Sequence, residues 1–258
     1  MHGEGEPMEY SPILAVATAV FEIIAAAWAF TLPRTRRFGV RRDRFGHRTV
    51  IWSAGAIFLL LAGYQLAEVA ICADVSAAGF LPRIAFIIVT WLPALGLLLV
   101  AEIQRPRSGF FHGCAFVMLA ASAGIVVWIA LDRSFATASV CNAVFARYAH
   151  VQPRFQFYAA YYWVGLLGMA ALSGYGVYTS ADPRRRRMHA HVLVGTLGFV
   201  LPSILLSHFV PAARSALPSI MCHFAFILAV GLAHMLWVMQ AEPVAASELT
   251  RSAPRTRM

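Results

Sequence analysis

Seven stretches of mostly apolar residues divide the chain, and their length limits it to folds that a lipid bilayer permits. An α-helix of roughly twenty residues crosses the hydrocarbon core of a bilayer, which is about 30 Å thick. A helix also pairs its own backbone N–H and C=O groups, for which lipid offers no partner. We therefore predict seven transmembrane helices, near residues 13–32, 49–72, 82–101, 110–131, 155–178, 191–209 and 217–240.

Composition favours a membrane protein over a soluble one. Hydrophobic residues make up 60% of the chain and charged residues 13%, whereas soluble domains have roughly 45–50% and about 25%. We predict an all-α, polytopic integral membrane protein. Its predicted regions are an extracytoplasmic N-terminus (1–12), a seven-helix bundle (13–240) and a disordered cytoplasmic tail (241–258).

The placement of the arginines predicts the orientation of the bundle. All 21 basic residues are arginines, and they lie mostly in the connections between apolar stretches. Sixteen of them fall on one side and five on the other, and the more positive side of a membrane protein is the cytoplasmic one. The N-terminus is then outside and the C-terminus inside. This asymmetry also explains the net charge of +9, so we predict the lipid bilayer as a partner and no nucleic acid.

A short polar stripe near the end of the second predicted helix is the main candidate site. Gln65 and Glu68 are three residues apart, so a helix places them on one face. A carboxylate at the centre of a bilayer costs at least about 2.5 kcal/mol, and such a group usually faces the protein interior and has a partner there. At about 1.5 Å per residue, Glu68 lies about one turn below the outer end of its helix.

Other predicted helices carry polar groups at a similar depth. His223 lies a turn or two below the outer end of the seventh helix, His208 lies at the outer end of the sixth, and Glu22 is deeper in the first. Glu68 is the predicted acceptor for the imidazole of His223. The predicted ligand-binding residues are Gln65, Glu68, His223, Glu22 and Tyr161. A simple hydrogen bond between helices is the structural alternative for Gln65 and Glu68.

Imidazole and carboxylate ligands also suit a transition metal such as zinc, iron or manganese. The candidate metal ligands are Glu68, His208 and His223. The sequence has no HExxH or CxxC motif, so this hypothesis rests on depth in the membrane alone. A metal held there could activate water, which makes an intramembrane metal-dependent hydrolase one alternative function.

The spacing of the histidines permits haem as a second cofactor. The sixth predicted helix carries His191 and His208, and the seventh carries His223 and His234. In antiparallel neighbours, His208 comes level with His223, and His191 with His234. Each iron of a di-haem cytochrome b takes one imidazole from each of two helices. An electron carrier with two b-type haems is therefore the other alternative function.

Two of the four cysteines lie on the predicted outer side. Cys72 ends the second predicted helix, and Cys141 lies in the long outer connection, residues 132–154. Because an extracytoplasmic compartment is oxidising, these cysteines are either a disulfide pair or two unpaired small residues. The connection itself is long enough for a short amphipathic helix but not for a separate core.

Several of these stretches resemble a family of bacterial multi-pass membrane proteins known only as a domain of unknown function. The similar features are Gln65-x-x-Glu68 in the second predicted helix, Trp91-x-Pro93 followed by Glu102 in the third, and Cys222 beside an aromatic-rich run in the last. The chain departs from the pattern in its Met-His-Gly-Glu start and at His223. The likeness spans the seven-helix core and supplies no chemistry, and it argues against histidine-based metal or haem ligation as a family trait.

These patterns together predict a seven-helix protein of the bacterial plasma (inner) membrane that binds a small ligand or a metal in its outer half. The predicted role is that of a sensor or an accessory subunit of a membrane complex rather than an enzyme. Since the predicted cytoplasmic tail is too short to signal alone, a sensor role requires a partner protein.

Overall fold

The computed structural model describes residues 11–35, 44–73, 80–104, 108–141, 146–150, 153–210 and 216–240. The predicted tail (241–258), most of the predicted N-terminal region (1–12) and many of the loop arginines lie outside these ranges. Within them the secondary structure is α1 (Ile13–Thr35), α2 (Arg44–Ala73), α3 (Leu81–Thr90), α4 (Leu92–Ile103), α5 (Gly109–Leu131), β1 (Ala136–Cys141), β2 (Ala146–His150), α6 (Arg154–Thr179), α7 (Pro183–Phe209) and α8 (Leu217–Gln240).

Six helical stretches are long and apolar enough to cross a membrane, so the chain is a helical, multi-pass membrane protein. They are Ile13–Leu32, His47–Ala73, Leu81–Ile103, Gly109–Leu131, Pro183–Phe209 and Leu217–Gln240. Helix α6 is the remaining predicted crossing. It has 26 residues, but its five tyrosines keep it out of this apolar group.

The stretch Leu81–Ile103 is divided into α3 and α4 at Trp91. The cause is Pro93, which has no N–H to donate to the carbonyl four residues earlier and therefore interrupts the helical hydrogen bonds. The phenol of Tyr161 on α6 donates a hydrogen bond of 2.6 Å to the Thr90 carbonyl beside this break. Helix α6 thus satisfies a backbone acceptor that an unbroken helix would satisfy itself.

Strands β1 and β2 form an antiparallel hairpin between α5 and α6, pairing Ala136 with His150 and Cys141 with Ala146. The predicted helical fold is confirmed for the rest of the described residues, whereas this connection, for which a short helix had been considered, is a two-stranded hairpin. Residues 136–141 read Ala-Thr-Ala-Ser-Val-Cys, and this alternation of apolar and polar residues has the two-residue period of a strand.

Aromatic side chains attach the hairpin to the bundle. Phe86 of α3 is fully buried, and its ring makes edge-on contacts with Phe135, which precedes β1, and Tyr148 on β2. The same ring contacts Phe155 and Tyr158 of α6. Edge-to-face aromatic pairs contribute about 0.5–1.5 kcal/mol each beyond the area they bury. The hairpin is therefore packed onto the ends of α3 and α6.

Candidate functional site

The candidate site lies where α2, α8 and the hairpin meet. Gln65 and Glu68 are one turn apart on α2, and Ser219 and Cys222 have the same spacing on α8. The Gln65 side-chain amide donates to the Cys222 carbonyl over 2.7 Å, and the Ser219 hydroxyl donates to Glu68 Oε1 over 2.6 Å. We call these four residues the Glu68 cluster. The predicted polar stripe on α2 thus has its partners on the last helix.

The Ser219 hydroxyl also holds the hairpin. It accepts a hydrogen bond of 3.1 Å from the Ala146 N–H, the first residue of β2. Two residues along this strand, the Tyr148 hydroxyl accepts a bond of 3.1 Å from Tyr64 on α2. One hydroxyl therefore links Glu68 to the backbone of the hairpin.

A disulfide fixes the other strand of the hairpin. It joins Cys72 near the end of α2 to Cys141 at the end of β1, with their Cα atoms 5.7 Å apart. The sequence left open whether these two cysteines form a disulfide or are unpaired, and the structure has the disulfide. Cys114 and Cys222 are free thiols. The disulfide and the Ser219 hydrogen bond attach adjacent, paired strand ends to the bundle, because Cys141 faces Ala146 across the hairpin.

A second polar cluster joins the two ends of the connection between α5 and α6. Asp132 accepts hydrogen bonds from the Ser134 hydroxyl (2.6 Å) and the Ser134 N–H (3.0 Å), and from the Arg154 guanidinium (2.8 Å). The hydroxyl bond and the N–H bond from Ser134, and then the charge of Arg154, hold the pKa of the Asp132 carboxyl below its usual value. The hairpin therefore begins and ends beside a charged, paired carboxylate.

The Glu68 cluster is closed to solvent but retains hydrogen-bonding capacity. Gln65, Glu68 and Ser219 are fully buried. Among the described residues, Glu68 Oε2 and Gln65 Oε1 have no hydrogen-bond partner. A buried polar atom without a partner costs about 1–3 kcal/mol. Both atoms are acceptors, so they favour a group that brings a proton donor or a positive charge.

Glu22 is the third predicted acidic or amide ligand, and it lies on α1. Its side chain is fully buried, and neither carboxyl oxygen has a hydrogen-bond partner in the described part of the chain. The Cys222 thiol lies within electrostatic range of both Glu22 and Glu68. Both carboxyl groups therefore lie near the N-terminal half of α8, around Cys222.

Two other predicted ligand residues have partners elsewhere. His223 is half-buried, and its Nδ1 is 2.9 Å from the carbonyl oxygen of Ser219 on its own helix. The hydrogen bond predicted between His223 and Glu68 is not formed, but the two side chains lie within electrostatic range of each other. The Tyr161 hydroxyl lies between the Thr90 carbonyl and the Ser122 hydroxyl, at 2.6 Å from each. Tyr161 stabilises the break between α3 and α4 and is not part of the Glu68 cluster.

The predicted metal ligands do not converge. The described residues contain no group of three or more His, Cys, Asp or Glu side chains that could hold a metal ion. His208 is exposed, with its ring against Phe209, whereas Glu68 is fully buried. Depth along the membrane placed Glu68, His208 and His223 at one level, but depth does not determine the direction in which a side chain points.

The packing of α7 against α8 does not support the predicted haem site between His191 and His234. The rings of His191 and His234 are in direct contact, with centroids 4.3 Å apart. An iron between two imidazoles needs about 2 Å to a nitrogen of each ring. A Cβ on Gly231 would lie 2.9 Å from the His191 carbonyl oxygen and 3.1 Å from the Gly195 Cα. These glycines bring the two backbones together, so the packing beside His191 and His234 does not support a haem there. The di-haem alternative on His191, His208, His223 and His234 stays a prediction.

Sequence reasoning placed Ser219 at the same depth as Gln65 but did not identify it as the hydrogen-bond partner of Glu68. Its signal was the spacing: Ser219 and Cys222 repeat on α8 the three-residue interval of Gln65 and Glu68 on α2. It also missed His189, which is fully buried on α7 although it adjoins the arginine run. Gly176 on α6 makes room for the His189 ring, since a Cβ there would lie within 2.6 Å of three ring atoms.

Comparison with known proteins assigns no family: no protein-family model matches the chain, and no curated protein is significantly similar to it. The resemblance to a domain of unknown function therefore stays a prediction. The functional argument rests on the geometry of the Glu68 cluster and the hairpin.

Proposed function

We propose that the protein is a seven-crossing protein of the bacterial plasma membrane that acts as a sensor or accessory subunit of a membrane complex. In this proposal the hairpin is the receiving element on the outer surface. The Glu68 cluster passes a displacement of the hairpin to α2 and α8. Neither a haem carrier nor a hydrolase is supported by a cofactor site in the described residues.

The single observation that carries this proposal is the shared hydroxyl of Ser219. It bonds Glu68 on one side and the Ala146 N–H on the other. A ligand with a donor or a positive charge would be attracted by the unpaired Glu68 Oε2 and Gln65 Oε1. Because the cluster is closed, binding requires the hairpin to move. Such a ligand shifts the equilibrium towards the displaced hairpin to the extent that it binds that state better.

Whether α6 crosses the membrane decides on which side α7 begins and α8 ends. Helix α6 spans about 39 Å at about 1.5 Å per residue, which exceeds the hydrocarbon thickness. It also packs within the bundle against α4 and α7, where Gly165 faces Pro93 of α4. These features support α6 as the seventh crossing, and the distribution of the arginines favours an N-terminus outside and a C-terminus inside.

We expect alkaline phosphatase, which is active only outside the cytoplasm, to report this topology. Inserted at residues 142–145 it should be active, and fused after Ser180 or after Gln240 it should be inactive. If α6 does not cross, the two later fusions will be active instead. Activity in all three fusions would therefore contradict seven crossings. The insertion in the hairpin is the positive control, because it should be active in either case.

The coupling through Ser219 predicts a change in hydrogen exchange. Ser219→Ala removes the acceptor of the Ala146 N–H, so amides in residues 146–150 should exchange roughly fivefold faster, as expected for loss of a bond of about 1 kcal/mol. The measurement is hydrogen–deuterium exchange with mass spectrometry on purified protein. Ser122→Ala is the matched control, since Ser122 is equally buried but bonds Tyr161 on α6.

Unchanged hydrogen exchange in the hairpin would contradict the coupling.

The role as a sensor or subunit has its own test, photo-cross-linking in native membranes from Arg133, which is exposed beside the hairpin. We expect a cross-linked partner protein, and Ser219→Ala should lower the yield of that cross-link. A cross-linker at Phe110, which is 69% exposed near the other end of α5, should not capture the same partner.

A further inference from the structure

A group of donor side chains lies on the surface of α7 and α8, at the arginine-rich end of α7. The rings of His191 and His234 are in contact, with centroids 4.3 Å apart. The contact follows from the close approach of the backbones at Gly231 and Gly195, since His234 is three residues after Gly231 and lies on the same face of α8. Two imidazoles are thus held together by helix packing and not by a bond between them.

Two further residues extend this pair. The indole of Trp237 stacks on His234, with ring centroids 5.4 Å apart and planes 15° apart, and its side chain is 58% exposed. Arg187 is one turn before His191, interacts with it electrostatically and is itself exposed. We call Arg187, His191, His234 and Trp237 the inner patch. It combines one guanidinium, two imidazoles and one indole on a surface that faces away from the core.

The inner patch lacks a negative partner in the described part of the chain. The charged or titratable groups that act on His191 are His234 and Arg187. Asp182 is the nearest described carboxylate along the chain, and it bonds the Arg184 N–H and pairs with Arg185. All groups of the patch can donate hydrogen bonds, and Arg187 is positively charged throughout the physiological range. An anion with several acceptor oxygens is therefore the complementary ligand.

The position of the patch identifies the source of that anion. Arg187 lies four residues after the start of α7, and His191 about 6 Å deeper. If the arginine run of α7 lies among the lipid headgroups, His191 lies near their boundary with the hydrocarbon, where tryptophan is also enriched. Basic pockets between transmembrane helices on the cytoplasmic side bind anionic headgroups.

We propose that the inner patch binds the phosphate of an anionic phospholipid in the leaflet on the arginine-rich side. Arg187 and the two imidazoles donate to the phosphate oxygens, and Trp237 packs against the glycerol and upper acyl chain. This site is separate from the Glu68 cluster and does not depend on the function proposed for it. Its orientation with respect to the cell follows from the predicted topology, but the binding does not.

The test is native mass spectrometry of the full-length protein in detergent with equimolar phosphatidylglycerol and phosphatidylcholine of identical acyl chains. We expect the protein to retain phosphatidylglycerol in preference. Arg187→Gln should lower that preference about fivefold, as expected for one basic residue near an anionic surface. His191→Gln combined with His234→Gln should lower it to a similar extent.

His208→Gln is the matched control, because His208 is an exposed histidine on the same helix at its opposite end. Its preference for phosphatidylglycerol should equal that of the unmodified protein. An equal loss in this control, or no loss in either patch variant, would overturn the proposal. Displacement of the lipid by millimolar inorganic phosphate would also overturn it, by showing a site for free phosphate. If the double histidine variant fails to fold, Arg187→Gln, an exposed position, still gives the answer.

Discussion

Replacing Cys72 and Cys141 together by serine should lower the free energy of unfolding by about 2–4 kcal/mol, the usual range for a native disulfide. The two residues are 69 positions apart, so their bond closes a long loop that spans α3, α4 and α5. Cross-linking such a loop restricts the unfolded chain. We expect the lower part of the range, because helices that stay in the bilayer or micelle already restrict it. The measurement is an SDS titration followed by circular dichroism.

Cys114→Ser is the control for this prediction. Cys114 is a free, half-buried cysteine on α5, and its replacement should change stability by less than about 1 kcal/mol. The disulfide variant should also increase hydrogen exchange in β1 as well as β2, since the strands are paired. A disulfide variant as stable as the Cys114 variant would mean that the hairpin is held by its aromatic contacts and hydrogen bonds alone.

Gly231→Ala should destabilise the protein by about 1–3 kcal/mol, as overpacking of a tight contact does. The added methyl group would meet the backbone of α7 at the His191 carbonyl and the Gly195 Cα. Backbone atoms cannot turn aside as a flexible side chain can, so α7 and α8 must separate. Separation should also part His191 from His234, and the preference for phosphatidylglycerol should fall with the stability.

Gly124→Ala is the matched substitution for that test. A Cβ at Gly124, on the exposed face of α5, would meet no atom within 4 Å. Because alanine favours a helix by up to about 1 kcal/mol over glycine, this variant should be as stable as the unmodified protein or more so. Equal effects of the two alanines would contradict close packing between α7 and α8.

The crossings were predictable because each depends on a local property of the chain. Six of the seven predicted stretches coincide with apolar helices, and the interruption near Trp91 follows from the missing N–H of Pro93. The hairpin was not predicted, although the alternation in residues 136–141 was visible, because its strands are short and gain stability from contacts with Phe86 and Tyr64.

The partners of the polar residues could be predicted only in part. Burial of Gln65 and Glu68 followed from the cost of exposing polar groups to lipid, and both are fully buried. The sequence suggested His223 as the hydrogen-bond partner of Glu68, but the Ser219 hydroxyl makes that bond and His223 interacts with Glu68 only electrostatically. Depth along a helix can be counted from the sequence, whereas the rotation of the helix about its own axis cannot.

The sequence by itself determined that this chain crosses a membrane several times and which of its groups lipid would not tolerate. Only the tertiary structure decided which helices meet, which carboxylate bonds which hydroxyl, and that the rings of His191 and His234 are in contact. The physical reason is that a bilayer removes the usual contrast in polarity between the interior of a protein and its surroundings. Apolar residues face lipid at Leu131, which is 78% exposed, as readily as they face the core at Leu99, which is fully buried.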